Sequence, residues 1–128
     1  MRAIVIDDSR AMRMILKKIM VKIGYEVLEA GDGQVAMDLL AAATEVPDVA
    51  LVDWNMPNMN GLEFVVAVRA DTRLRPMALV MVTTESEHSQ IVRALASGAH
   101  EYVIKPFTED AMIEKLALLG LVPTGASS

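Results

Sequence analysis

Five short apolar runs, each broken off by polar or turn-forming residues, alternate along this chain with stretches of helical spacing. Residues 2–6 form the first run and stop at Asp7-Asp8-Ser9. Tyr25–Ala30, with alternating character, is closed by Gly31-Asp32-Gly33, and Val49–Val52 stops on Asp53. Met77–Val82 ends at Thr83-Thr84, and His100–Ile104 at Lys105-Pro106-Phe107. Runs of this length and apolarity read as strands, most of them buried on both faces. Strands in alternation with helices predict an α/β domain: a five-stranded parallel sheet with helices on both faces and right-handed crossovers. The pattern alone leaves the strand order open.

The helical stretches carry their own punctuation. Ser9 is placed to cap a first helix, whose apolar face is Met12, Ile15, Leu16, Ile19, Met20 and Ile23, with Gly24 as its stop. Gln34–Ala43 turns Val35, Ala36, Leu39 and Leu40 to one side. Leu62–Ala70 is a third helix, ended by the charged loop Asp71–Arg75 and Pro76. Glu85–Ser97 is a fourth, with Ile91, Val92 and Leu95 apolar and Gly98 as its stop. Thr108 caps a fifth, with Ala111, Met112, Leu116 and Leu119 inward. The expected domain covers residues 1–120, and residues 121–128 read as a flexible tail.

Composition removes several function classes. The 128 residues, 53% hydrophobic, suit one domain with a real core. With no cysteine there is no disulfide framework or thiolate metal site, and a reducing cytoplasm fits. The net charge of −5 argues against nonspecific nucleic-acid binding. No uncharged apolar window is long enough for a membrane span, and the first apolar run ends too early, on two aspartates, for a signal peptide. His88 and His100, twelve residues apart, argue against zinc. The ten methionines fall at helical spacing and read as core packing rather than copper ligands.

In a parallel sheet the carboxyl ends of the strands share one edge, where open α/β sheets place their ligands. That edge would gather Asp7, Asp8, Asp53, Thr83 and Lys105. Each has an ordinary reading by itself. Asp53 or Thr83 could cap a helix, Asp7-Asp8 could favour a helix dipole, and Lys105-Pro106 could be a turn. Their occurrence in order at successive strand ends favours one site. Carboxylates so close repel by about 4 kcal/mol per pair at 4 Å and an effective dielectric near 20. A cation must compensate them: Lys105 supplies one charge, and a hard divalent ion, Mg²⁺ or Mn²⁺, suits oxygen-only ligands. Such a site implies phosphoryl chemistry, with a carboxylate as nucleophile giving an acyl phosphate. Lys105 and the Thr83 hydroxyl would meet the phosphoryl oxygens.

The set Asp7-Asp8, Asp53, Thr83 and Lys105-Pro106 resembles the receiver domain of two-component response regulators across roughly residues 2–119. The segments D-W-N-M-P-N-M-N-G-L-E and Y-V-I-K-P-F-T are most similar to its single-domain chemotaxis members. The resemblance implies a flavodoxin-like (β/α)5 fold with strand order 2-1-3-4-5 and a cis Lys105-Pro106 bond. It implies phosphorylation of Asp53 by a chemotaxis-type histidine kinase, with Asp7, Asp8, Asp53 and the carbonyl of Asn55 holding Mg²⁺. Thr83 and Tyr102 would form the switch. The fourth helix, fifth strand and fifth helix would bind a target, such as the flagellar motor switch protein, and a phosphatase is a further partner. The protein would be a cytoplasmic monomer, and no enzyme beyond assisting its own phosphorylation and dephosphorylation.

Two features depart from the family's common pattern. Thr84 stands where many receivers have Ala or Gly, and Glu87-His88 stand where motor-binding relatives often carry basic residues. A phosphate sink or relay intermediate therefore stays open beside the motor-binding reading. A Mg²⁺-dependent aspartyl-phosphate phosphatase commonly needs a second Asp two residues after the nucleophile, and Asn55 occupies that position. A flavin phosphate would be repelled by the Asp7-Asp8 loop.

Overall fold

A computed structural model describes residues 1–84 and 88–122, with His88 described by its backbone alone. Its elements run β1 (Arg2–Ile6), α1 (Arg10–Lys22), β2 (Glu26–Ala30), α2 (Gly33–Ala42) and β3 (Val49–Asp53). Then follow α3 (Gly61–Ala70), β4 (Ala78–Thr84), α4 (His88–Ser97), β5 (Glu101–Lys105) and α5 (Glu109–Leu118). The five strands form one parallel sheet in the order β2-β1-β3-β4-β5. The Lys105-Pro106 peptide is cis.

Strand pleating divides the core in two. Ile4, Ile6, Ala50, Val52, Leu79 and Met81 point to one face, where Leu40 of α2, Phe64 and Val68 of α3 and Ala94 of α4 cover them. Ala3, Val5, Val49, Leu51, Val80 and Val82 point to the other, under Leu16 and Met20 of α1 and Met112 and Leu116 of α5. This two-sided burial is why β3 reads as an unbroken apolar run. Among the described residues no helix is long and apolar enough to cross a membrane.

The anticipated caps form. Ser9 Oγ accepts from the Met12 N–H at 3.2 Å, and Thr108 Oγ1 from the Ala111 N–H at 3.1 Å. Asn60 and Glu63 close a capping box on α3.

Other expectations need correction. Ile15, Val35, Val92 and Leu95, read as inward, are 49%, 44%, 57% and 37% exposed. A helix on a sheet buries a narrow stripe, and these residues lie on its flanks. β2 is mostly exposed rather than alternating because it is an edge strand. β4 and β5 run on to Thr84 and Lys105, since Thr84 pairs in register with Lys105. Glu85, Ser86, Glu87 and the side chain of His88 lie outside the described residues, as does the expected tail from residue 123 onward. Leu121 and Val122 pack against the second core cluster.

The turn from β3 into α3 allows no side chain at Gly61. A Cβ there would stand 2.5 Å from the Asp53 carbonyl oxygen and 2.9 Å from Met81 Cε. Relief requires moving backbone. Gly61→Ala should lower stability in urea unfolding by roughly 2–3 kcal/mol. Val66→Ala, at a 52% exposed position of the same helix, should cost under about 0.5 kcal/mol. Equal effects of the two changes would contradict this packing.

Candidate functional site

The carboxyl edge of the sheet collects the polar strand ends because β3 lies between β1 and β4. Asp7 follows β1 directly, its N–H bonded to the Ala30 carbonyl at 3.1 Å. Asp53 is the last residue of β3 and pairs in register with Val82, next to Thr83. Lys105, the last residue of β5, pairs with Thr84. Asp7 is fully buried, Thr83 is 1% exposed and Asp53 8%, whereas Asp8 is open to solvent.

Oxygen atoms of Asp7, Asp8 and Asp53 lie within 4.8 Å of one another. Lys105 Nζ bridges two of them, 3.3 Å from Asp7 Oδ2 and 3.1 Å from Asp53 Oδ1. The second Asp7 oxygen, Oδ1, accepts the Ser9 N–H at 2.8 Å. Arg13 Nη1 donates to the Asp7 backbone carbonyl at 2.6 Å, a contact that sequence reading missed. Arg13 falls next to the apolar position Met12 on α1, and nothing in its spacing marks a tether to a strand end.

The structure thus brings Asp7, Asp8, Asp53 and Lys105 together and sets buried Thr83 at the neighbouring strand end. Asn55 lies two residues beyond Asp53 on the exposed loop, and Thr84 is half-buried. Tyr102 is separate from the acidic cluster. It pairs with Met81 in register and packs against the first core cluster, with Lys115 Nζ 4.9 Å from its ring centroid.

Charge dominates the site. Three carboxylates against one ammonium leave two negative charges in excess. Burial, reinforced by the Asp7 charge and opposed by Lys105, pushes the Asp53 carboxyl up to about 6. Burial works to lower the Lys105 pKa, but the Asp53 and Asp7 carboxylates outweigh it and hold it above the usual lysine value. An oxygen-only donor set with excess negative charge fits a hard divalent cation held by Asp7, Asp8 and Asp53.

This electrostatic arrangement has a consequence for stability. The folded-state pKa of Asp53 lies above the unfolded carboxylate value of about 4. Its charge therefore destabilises the fold in full above about pH 6, and the penalty fades as pH falls toward about 4. In metal-free urea unfolding, Asp53→Asn should be more stable than the parent by roughly 2–3 kcal/mol at pH 7.5 and no more stable near pH 4. A variant less stable at pH 7.5 would show that Lys105 overcompensates the buried charge.

Residues 3–117 match the response regulator receiver domain family. Over 120 residues the chain is 42% identical to chemotaxis protein CheY1 of Helicobacter pylori, covering 93% of this chain and 96% of that one. It is 44% identical over 117 residues to a CheY homolog of Campylobacter jejuni, covering 91% and 89%. The high-resolution structure of the chemotaxis response regulator CheY4 of Vibrio cholerae superposes with a TM-score of 0.84 at 32% identity, over 92% of this chain and 97% of that one. The expected flavodoxin-like fold and strand order are both present. With the acidic strand ends and their bridging lysine in place, the chain belongs to the response regulator receiver family and is homologous to the CheY chemotaxis regulators.

Proposed function

We propose that this protein is a cytoplasmic two-component response regulator. A chemotaxis-type histidine kinase phosphorylates Asp53, and phosphorylation switches the α4-β5-α5 face to bind the flagellar motor switch protein. The observation that carries this reading is Asp53 itself: a strand-end carboxylate, 8% exposed, with Lys105 Nζ at 3.1 Å and the Asp7 carboxylate beside it.

Above about pH 6 the Asp53 carboxylate is ionised and able to act as a nucleophile. One of its oxygens attacks the phosphorus of the donor phosphohistidine. The P–N bond breaks, and its electron pair returns to the departing imidazole, which takes up a proton. Lys105, already bridging Asp7 and Asp53, is placed to meet charge on the phosphoryl oxygens, and the Thr83 hydroxyl donates to another. Asp7, Asp8, Asp53 and the Asn55 carbonyl would hold Mg²⁺, which when bound neutralises phosphoryl charge. Asn55 offers no acidic proton, which favours a regulator over an aspartyl-phosphate phosphatase.

The switch follows from the same contacts. Thr83 drawn toward the phosphoryl group frees space on β4 for the Tyr102 ring, whose strand neighbours it in register. Charge-assisted hydrogen bonds of about 1.5–3 kcal/mol each, from Thr83 and Lys105, approach the roughly 5.5 kcal/mol that carries a switch from 1:99 to 99:1. Tyr102, Val103, Ile104, Phe107, Ala111 and Lys115 line a groove of about 410 Å³ on that face, which supports docking of a largely apolar segment.

With acetyl phosphate and Mg²⁺, intact mass should show one added phosphoryl group. The gain should vanish with chelator and in Asp53→Asn, while Trp54 fluorescence reports metal and phosphoryl binding beside the nucleophile. Phosphorylation that survives Asp53→Asn would refute the assignment. If the phosphoprotein fails to bind the motor switch protein but passes its phosphoryl group to a histidine phosphotransfer domain, the protein is a sink or relay instead.

Thr84 adds bulk beside the site where many receivers have Ala or Gly. Thr84→Ala should therefore shorten the aspartyl-phosphate lifetime several-fold by admitting water, read as loss of radiolabel after removal of donor. An unchanged lifetime would show that Thr84 does not screen the phosphoryl group.

A further inference from the structure

Asp32 is a buried carboxylate, 8% exposed, that the phosphoryl chemistry does not use. Both of its oxygens are committed. Oδ1 accepts the Val35 N–H at 2.9 Å and caps α2, while Oδ2 accepts from Asn58 Nδ2 at 2.9 Å. Those bonds, first the backbone one and then that from Asn58, hold its pKa below the usual aspartate value, so it stays charged. Asn58 sits at the apex of the loop that leaves β3 after Asp53, in the left-handed region with φ of 64°.

A second stitch lies beside the first. The Gly33 N–H donates to the Met59 carbonyl at 3.2 Å, and a Cβ on Gly33 would stand 2.8 Å from that oxygen and from Met59 Cγ. At its far end the loop is closed by the Gly61 N–H on the Trp54 carbonyl at 2.9 Å. The start of α2 therefore holds the loop's apex, while β3 and α3 hold its ends. Asn55 lies between the anchored Asp53 and the anchored Asn58.

We propose that Asp32 and Asn58 are positioning residues for the phosphorylation site, acting through the loop backbone to hold the Asn55 carbonyl where a divalent cation needs it. This rests on the reading of Asp7, Asp8, Asp53 and the Asn55 carbonyl as the cation site. A backbone ligand has no side chain of its own to adjust, so its position is only as well defined as the loop that carries it. Outer contacts that fix a ligand commonly change metal affinity by tenfold or more. Asp32 and Asn58 act one step further out, and the effect expected is at the lower end of that range.

Helix capping and the loop link can be separated. Asp32→Ser keeps an N-cap for α2 but cannot reach Asn58. Asn58→Gly removes the amide while suiting the positive φ. Mn²⁺ affinity, measured by electron paramagnetic resonance of the free ion, should weaken about three- to tenfold in each variant. The double variant should be no worse than the weaker single one, because both remove the same link. Asp32→Asn keeps the cap and, with the Asn58 amide turned over, the link, so its affinity should stay within about twofold of the parent. Phosphorylation by acetyl phosphate should slow in the weakened variants at low Mg²⁺ and recover at saturating Mg²⁺, which general destabilisation would not produce.

Thermal unfolding without metal shows which variants are folded. If Asp32→Ser does not fold, Asn58→Gly carries the test, since it alters an exposed side chain. Parent-like Mn²⁺ affinity in folded variants would overturn the proposal while leaving the cation site intact. So would a loss in Asp32→Asn matched by normal affinity in Asn58→Gly, which would assign the effect to the charge of Asp32. A parent protein that binds Mn²⁺ no better than Asp53→Asn would bring down the cation site and this inference with it.

Discussion

The bridge from Lys105 to Asp7 and Asp53 is the interaction on which the site depends, and it can form only in the finished sheet. Lys105 is 98 residues from Asp7 and 52 from Asp53 in sequence. No local element supplies that proximity; β5 must dock on β4, and β1 on β3. Even then one ammonium faces three carboxylates, so the edge stays negatively charged. The imbalance favours a divalent cation, while burial, reinforced by the Asp7 charge, raises Asp53 toward neutral pH. Burial and charge together thus couple the ionisation of Asp53 to stability.

Topology sets where that local imbalance lies relative to the outer strands. The chain passes from β1 out to β2 and returns to β3 on the other side, which opens a crevice at the carboxyl ends. β4 lies between β3, which ends on Asp53, and β5, so Thr83 stands at the strand end beside Asp53 while its strand neighbours that of Tyr102. β5 is an edge strand whose side chains are largely half-buried. Tyr102 therefore lies on a half-buried edge strand, separated by β4 from the fully buried β3.

Much of this was legible in the chain because polar residues ending apolar runs are informative. Asp7, Asp53, Thr83 and Lys105 end runs that are mainly apolar, and a parallel sheet assigns all such ends to one edge. Residues whose roles depend on distant partners were harder to read. Arg13 looks like any basic residue on a helix, and Asp32 like any turn-former. Their partners, the Asp7 carbonyl and the Asn58 amide, are set by tertiary packing. Ile15, Val35, Val92 and Leu95 failed for a related reason: hydrophobicity places a residue near the inward side, but only the neighbouring element decides how far coverage extends.

The division of labour between core and loops explains why the site can tolerate its own destabilisation. The buried acids contribute repulsion, so cohesion comes from the two apolar layers, which reach up to the edge through Val52, Met81 and Val82. Beyond the edge, Trp54 is buried in the first core cluster and Met56 and Met59 pack against it. Single polar contacts add to that order: Ser9 on Asp7, Arg13 on its carbonyl, Asn58 on Asp32, Gly61 on Trp54. Each is short and directional, and each ties a site loop to an element already fixed by the core. Directional bonds fix position with little added burial. That suits the proposed phosphoacceptor site, whose acids would have to stay close enough together to bind a cation yet open enough to receive a phosphoryl group.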